Sequence, residues 1–379
     1  MTLPVFEKSL NDFSRSYLIE GKPVNRKTQL KKEFNMLTLN LCEKLMRHER
    51  IAIKVYGENI PLALLLNLFR TKGVENLLEH DALKFVLWTP IITYNVDEIS
   101  GLIPLQSGDL NSEPHSDPEK SAWMGLKWMS EPPKPRDQRK LLKKIVPSYL
   151  LPPSKIGENA TKFGVEGYKS NLFESFNLPH QKDIDKLTLE ERRLLCKLTT
   201  ECLELIVVSN LNLQTMDLPN IAYLTNIELK KLKKTNLIEK AEEKIFEIEN
   251  IPDYKKLISD GYIKVKDIPF IRNNKHSKKF REWIYTTTEN NDLEEITKEY
   301  IDSITGDKSH VNKIKFLKTL GVTTTSITLG SIIGGITGGI FAAPMFNYGL
   351  NLLDTYILDG LINGWTPRHY FNFLRKQIN

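Results

Sequence analysis

The sequence predicts an α+β chain: a small mixed α/β N-terminal region, a mostly helical middle and a C-terminal glycine-zipper transmembrane helical hairpin. Three observations carry that expectation. Near the N-terminus, short runs with a period of two alternate with runs at helical spacing. Beyond residue 188 the apolar pattern is helical alone. Thr319 to Leu353 is a stretch of 35 residues without one charge, in a chain that is 26% charged. The expected division is 1–125 for the α/β sensor region, 126–310 for a basic linker and helical region, and 311–379 for a membrane-associated hairpin.

From Lys27 to Arg50, Leu30, Phe34, Leu37, Leu41 and Leu45 recur at helical spacing, so an amphipathic helix is expected. Ile51 to Tyr56 changes to a period of two and ends at Gly57, which reads as a strand and a turn. A leucine-rich helix from Ile60 to Phe69, a stop at Gly73 and a short helix from Val74 to His80 come next. Leu83 to Trp88, closed by Pro90, is a second strand, and Ile91 to Val96 a third. Residues 97–121 hold Gly, Ser, Asp and Pro in loop proportions, and six prolines punctuate the stretch from Pro132 to Pro153, so a domain junction is expected there. Thr188-x-x-Glu191 is a capping box that opens a helix through Leu195, Cys202 and Ile206. Asn226 to Glu249 alternates Lys with Glu, as a partly solvated helix does.

Composition narrows the class. With 379 residues, 40% of them hydrophobic, the chain is not wholly disordered, collagen-like or a many-span membrane protein. Cys42, Cys196 and Cys202 are too few for a disulfide framework and include no CxxC pair, which points to a reducing cytoplasm. Glu7 and Asp12 stand where a secretory signal needs basic and then apolar residues, so export is not expected. The net charge of +6 favours anionic partners, and its distribution says more. No Lys or Arg lies between Lys84 and Lys120, whereas cations crowd residues 127–144.

The uncharged stretch is too long for one crossing, about 52 Å as a single helix against a ~30 Å hydrocarbon core. Pro344 and Asn347-Tyr348-Gly349 break it into Leu320–Ala343 and a shorter helix from Met345 to Ile362. Gly330, Gly334 and Gly338 fall four apart and form a seam for close helix packing in a homo-oligomer. Thr324, Thr328, Ser331, Asp354 and Asp359 are the candidates for lining a path through it. Trp365, Tyr370 and Phe371 would anchor the interface, with Arg368 and Arg375 among the positive flanks. The bland alternative is a glycine-rich hairpin buried in a soluble helical protein.

Arg136, Arg139, Lys140, Lys143 and Lys144 recur at i, i+3, i+4, i+7 and i+8, a cationic stripe if that segment is helical, and Trp128 lies close by. Cations beside aromatics hold single-stranded oligonucleotides, and a solvated helix face or a lipid-facing patch is equally compatible. Arg272 and Arg281 bracket a second basic run, a candidate phosphate site. Asp109, Glu113, His115 and Asp117 read as a polar loop, and no metal, cofactor or catalytic residue is expected.

Residues 60–90, the block from Ile251 to Ile284 and the glycine-zipper hairpin together resemble bacterial anti-phage effectors, in particular the transmembrane effector of Hailong-type systems. That resemblance implies a cytoplasmic sensor held shut by an oligodeoxyadenylate signal and an oligomeric ion channel in the bacterial inner membrane. It also implies a neighbouring nucleotidyltransferase as the source of the nucleotide or oligonucleotide signal. The expectation is therefore a defence effector that depolarises the cell and arrests growth, with the lipid bilayer and further copies of itself as partners. The alternative is a soluble nucleic-acid-binding or nucleotide-handling protein.

Overall fold

The structure, a computed structural model, describes residues 3–19, 21, 27–215, 230–249, 251–288, 291–305 and 365–378. The chain divides into two compact units, Met1–Thr235 with Val265–Phe270, and Asn236–Lys264 with Ile271–Asn379. The boundary expected at residue 125 falls inside the first unit.

The first unit is built on four parallel strands, β1 (Val5–Glu7), β2 (Ile51–Val55), β3 (Leu83–Leu87) and β6 (Tyr149–Leu150), in that spatial order. Each register is in step: Val5 pairs with Ile51, Ile51 with Leu83, and Phe85 with Tyr149. Parallel neighbours require long crossovers. The first runs through α1 (Ser9–Ser14) and α2 (Lys27–Arg47), and the second through α3 (Ile60–Glu79). The third contains an antiparallel hairpin of β4 (Pro90–Tyr94) and β5 (Leu105–Asp109), then α4 (Glu113–Ser116), α5 (Pro118–Leu126) and α6 (Pro135–Ile145). Sequential order with right-handed crossovers puts such connections on one face of a sheet, and α3 does pack on both α5 and α6. The other face is closed by α7 (Ile156–Lys169) and α8 (Leu189–Asn210). There Phe6, Ala52 and Val86 pack with Ile156, Ala160, Leu203 and Val207.

The capping box at Thr188 and Glu191 forms as expected and opens α8. The leucine-rich helix does not stop at Gly73. The break comes instead directly after Phe69, where the first helix was expected to end, at Arg70 with φ 63° and ψ 170°, and the second stretch runs through Gly73 to Glu79. Residues 105–109, expected as loop, pair with β4 because Leu105 is buried over Tyr168, Phe173 and Leu195.

The second unit is helical: α9 (Lys230–Ile248, which belongs here from Asn236 on), α10 (Tyr254–Ser259), α11 (Ile268–Asn273, whose last turn belongs here), α12 (Lys275–Thr287), α13 (Leu293–Thr305) and α14 (Arg368–Ile378). Its centre is aromatic. The Phe280 ring stacks on Tyr370 at 4.4 Å and meets Phe371 edge-on at 5.3 Å, and the Tyr254 and Tyr370 hydroxyls bond at 2.6 Å. Buried Glu249 accepts from Tyr300 at 2.5 Å and from Arg375 at 2.7 Å.

This core corrects the C-terminal expectation. Among the described residues no helix is long and apolar enough to cross a membrane. The fold class is a mostly helical chain with a small sheet region, so the transmembrane hairpin and the membrane, ion-channel, pore and inner-membrane assignments that depended on it are withdrawn. The physical reason shows at the hairpin's expected border. Tyr370 and Phe371, read as interfacial anchors, are 1% and 0% exposed inside the protein's own core. Arg375, read as a positive flank, is engaged by Glu249. Leucine-rich α3 is apolar because protein covers it, with Leu62, Leu65 and Leu77 fully buried. The seam residues Gly330, Gly334 and Gly338 and the path residues Thr324, Thr328, Ser331, Asp354 and Asp359 lie outside the described residues.

Candidate nucleic-acid interface

Ligands of parallel α/β sheets commonly bind beyond the carboxyl ends of the strands, at free helix N-termini. Here those termini are occupied by the protein itself. After β1, the Glu7 carboxylate accepts from the Ser9 amide at 2.6 Å and also binds the Ser9 hydroxyl and Lys44. After β2, the Asn59 side chain accepts from the Leu62 amide at 3.0 Å. The turn carrying Asn59 is itself roofed by α5. A Cβ on Gly125 would lie 2.1 Å from the Asn59 carbonyl oxygen, so only glycine allows this approach. Ser121 Oγ donates to the Gly57 carbonyl at 2.5 Å, and Tyr149 joins Asn59 and Ser121 at 2.8 and 3.1 Å. Burial pushes the Tyr149 hydroxyl far above the ordinary tyrosine range. The carboxyl edge is therefore sealed at β2.

Seating α5 in this way fixes what lies outside it. Asp117 caps α5 by accepting from the Glu119 and Lys120 amides at 2.8 and 3.2 Å. Trp123 is exposed, with Lys127 Nζ 3.5 Å from its ring centre. Trp128 is also exposed, and its indole N–H donates to Glu58. The stripe segment is helical as α6. Its strong amphipathic pattern buries Leu141, Leu142 and Ile145 and turns Arg136, Arg139, Lys140 and Lys143 outward. Those four make no ion pair among the described residues. Lys144 differs, because it folds back to Glu75 at 3.2 Å and Glu79 at 2.7 Å on α3. These bonds, chiefly that to Glu79, raise its ammonium above the ordinary lysine value.

The second basic run has another fate. Arg272 and Arg281 are 1% and 6% exposed, and an Arg281 Nη donates to the Arg272 carbonyl at 2.7 Å. Helical phase puts Arg281 beside Phe280 and Ile284 on the buried side of α12, so this pair is not a surface phosphate site. The residues expected in a polar loop stand instead at the end of β5, on α4 and at the start of α5, and are also engaged within the protein. Asp109 accepts from the Lys155 amide at 2.9 Å, and Glu113 pairs with Lys120 at 3.4 Å. His115 meets the Tyr56 ring edge-on at 5.1 Å. Among the described residues no group of three or more His, Cys, Asp or Glu could hold a metal ion.

Sequence reasoning missed a polar cluster where the sheet meets α8. Lys54 projects from β2 over the Trp88 ring at 4.0 Å and lies 3.6 Å from Glu204, which Lys8 also reaches at 2.5 Å. Burial lowers the Lys54 ammonium despite Glu204. The one available signal was a lysine inside the apolar strand Ile-Ala-Ile-Lys-Val. A cleft of about 640 Å³ lies along α1 and α2, lined by Asp12, Phe13, Tyr17, Glu33 and Met36. Lys32 also lines it, but against Asp12 and Glu33 the cleft has no excess of positive charge, so the cationic row on α6 remains the better anion site.

Compared with known proteins, the chain matches no family model, no curated protein and no solved structure.

Proposed function

We propose that the first unit binds single-stranded nucleic acid along the outer face of α5 and α6. The observation that carries this reading is a contrast within one helix. Lys144 is neutralised by two glutamates, whereas Arg136, Arg139, Lys140 and Lys143 stand exposed and make no ion pair among the described residues. From Arg136 to Lys143 the row spans about 10 Å at 1.5 Å per residue, enough to follow a short run of phosphates. Guanidinium and ammonium groups bind phosphate without reading sequence, and exposed Trp123 and Trp128 offer stacking faces for bases. The proposed activity is binding, with no covalent step.

Fluorescence anisotropy of a labelled single-stranded oligonucleotide, titrated at several salt concentrations, tests the reading. Wild type should bind more weakly as salt rises. Arg139→Ala with Lys143→Ala should lower affinity at least about tenfold and flatten the log–log salt slope by about 1.4, roughly 0.7 for each phosphate that is no longer neutralised. A double variant that binds like wild type, or wild-type binding indifferent to salt, refutes it.

A further inference from the structure

We propose that the tip of the β4–β5 hairpin docks onto the α5–α6 face of a second copy of this chain, in a head-to-tail contact. The tip, residues 95–104, exposes Val96, Ile99, Leu102 and Ile103 by 61%, 51%, 36% and 45%. Four aliphatic side chains in water on one short loop are a patch, not scatter.

The loop is also firmly built. The Asn95 amide donates to the Pro104 carbonyl at 2.8 Å, and the Leu102 amide donates to the Ile99 carbonyl at 3.1 Å. Gly101 turns the chain at φ +77° and donates its N–H to Asp185 at 2.7 Å. Beneath lies Arg192, 1% exposed, with one Nη donating to the carbonyls of Asn95 at 2.9 Å and Asp97 at 2.5 Å. Its Nε and other Nη hold the carbonyls of Leu187 and Asp185, both at 2.8 Å. Each acceptor of this buried guanidinium among the described residues is a main-chain carbonyl, and its charge meets no carboxylate there. Burying a cation on those terms is costly, and what it secures is a fixed presentation of apolar side chains to solvent. A surface held ready in this way binds with less ordering cost.

Chemistry selects the partner. Asp97 and Glu98 are exposed beside the aliphatics without an ion pair among the described residues, in a stretch that holds no Lys or Arg from residue 85 to 119. The complementary surface needs cations next to apolar groups. The α5–α6 face supplies both, with Arg136, Arg139, Lys140 and Lys143 beside Trp123 and Trp128. Tip and face are different patches, so the contact is heterologous and leaves the pair of copies one tip and one face to offer. It shares the cationic face with the proposed oligonucleotide site, and the two occupants exclude one another.

Sedimentation velocity of the full chain over a concentration series tests the contact. Wild type should self-associate, and less so at high salt. Asp97→Lys with Glu98→Lys, Arg139→Glu with Lys143→Glu, and Val96→Ser with Ile99→Ser should each weaken association about tenfold or more. Mixing the two charge-reversed proteins should restore it, since each supplies the sign that the other lost. A wild type that stays monomeric throughout, or an association that these variants leave intact, overturns the proposal. Tip variants should keep full oligonucleotide affinity, whereas the α6 reversal should lose it. Absence of oligonucleotide binding together with charge-swap rescue would therefore sink the functional reading alone, and the opposite pattern would sink the docking alone.

Discussion

At Gly125 a single added methyl would meet main chain, 2.1 Å from the Asn59 carbonyl oxygen, and main chain cannot swing aside as a side chain can. Gly125→Ala should therefore cost about 2 kcal/mol or more, read as a fall in the urea midpoint, and should loosen the platform that holds Trp123 and Trp128. Arg192 is a second residue whose role is set by main-chain partners. Arg192→Met leaves four carbonyls without this donor, that of Leu187 buried and those of Asn95, Asp97 and Asp185 part-buried, and a loss of about 2 kcal/mol is expected in the same measurement. His115 carries a pH dependence. Burial first, and then the nearby Arg15, lowers its folded-state value below the ordinary histidine value of 6.5. The unfolded chain thus takes up the proton first as pH falls. Its stabilisation is complete above about pH 6.5 and is lost as pH drops through the lower folded value. Urea melts at pH 7.5 and at pH 5.5 should show a smaller acid loss for His115→Phe than for wild type. Cys42 and Cys202, whose thiols burial pushes up to about 12, should resist alkylation until the first unit unfolds.

Elements divide their labour by what their outer faces carry. On α6 the apolar side is spent on the core and Lys144 on α3, so stability and ligand binding fall on different lysines. Lys144→Ala should shift the urea midpoint slightly, because the pair is part-exposed and such bridges contribute about 1 kcal/mol or less. It should leave oligonucleotide affinity nearly unchanged. Lys143→Ala should do the reverse. On α8 the capping box is complete, with Thr188 and Glu191 each serving the other's backbone. Thr188→Ala should cost about 1 kcal/mol.

For the molecule as a whole, the two units have distinct cores, one where a parallel sheet meets helices and one where aromatic rings pack among helices. The second core takes residues from far apart in the chain, since α14 inserts Tyr370, Phe371 and Leu374 at 1% exposure or less. Phe371→Ala should destabilise that unit by about 3–5 kcal/mol. Hydrogen exchange should show protection lost in α10 and α12 while β2 and β3 of the first unit keep theirs.

Much of the first unit was legible in the sequence because its signals are local. The period-two run at Ile51, the strand from Leu83 to Trp88 closed by Pro90, the helical spacing of α2, the capping box at Thr188 and the cationic phase of α6 are each set by neighbours within a few turns. Four decisions were tertiary. Arg272 and Arg281 look like a basic surface run and are buried, because helix packing on the other side chooses which face of α12 meets solvent. Tyr370 and Phe371 look like membrane anchors and fill a protein core, because composition alone does not distinguish lipid from packed rings as the apolar surroundings. Residues 105–109 look like loop and form the second arm of a hairpin, because the core that Leu105 joins, with Tyr168, Phe173 and Leu195, lies far along the chain. Lys144 continues the stripe in sequence and leaves it in space, since only the fold brings Glu75 and Glu79 within reach. Spacing along the chain determined which side chains share a helix face; long-range contacts decided whether that face meets water, a carboxylate or the core.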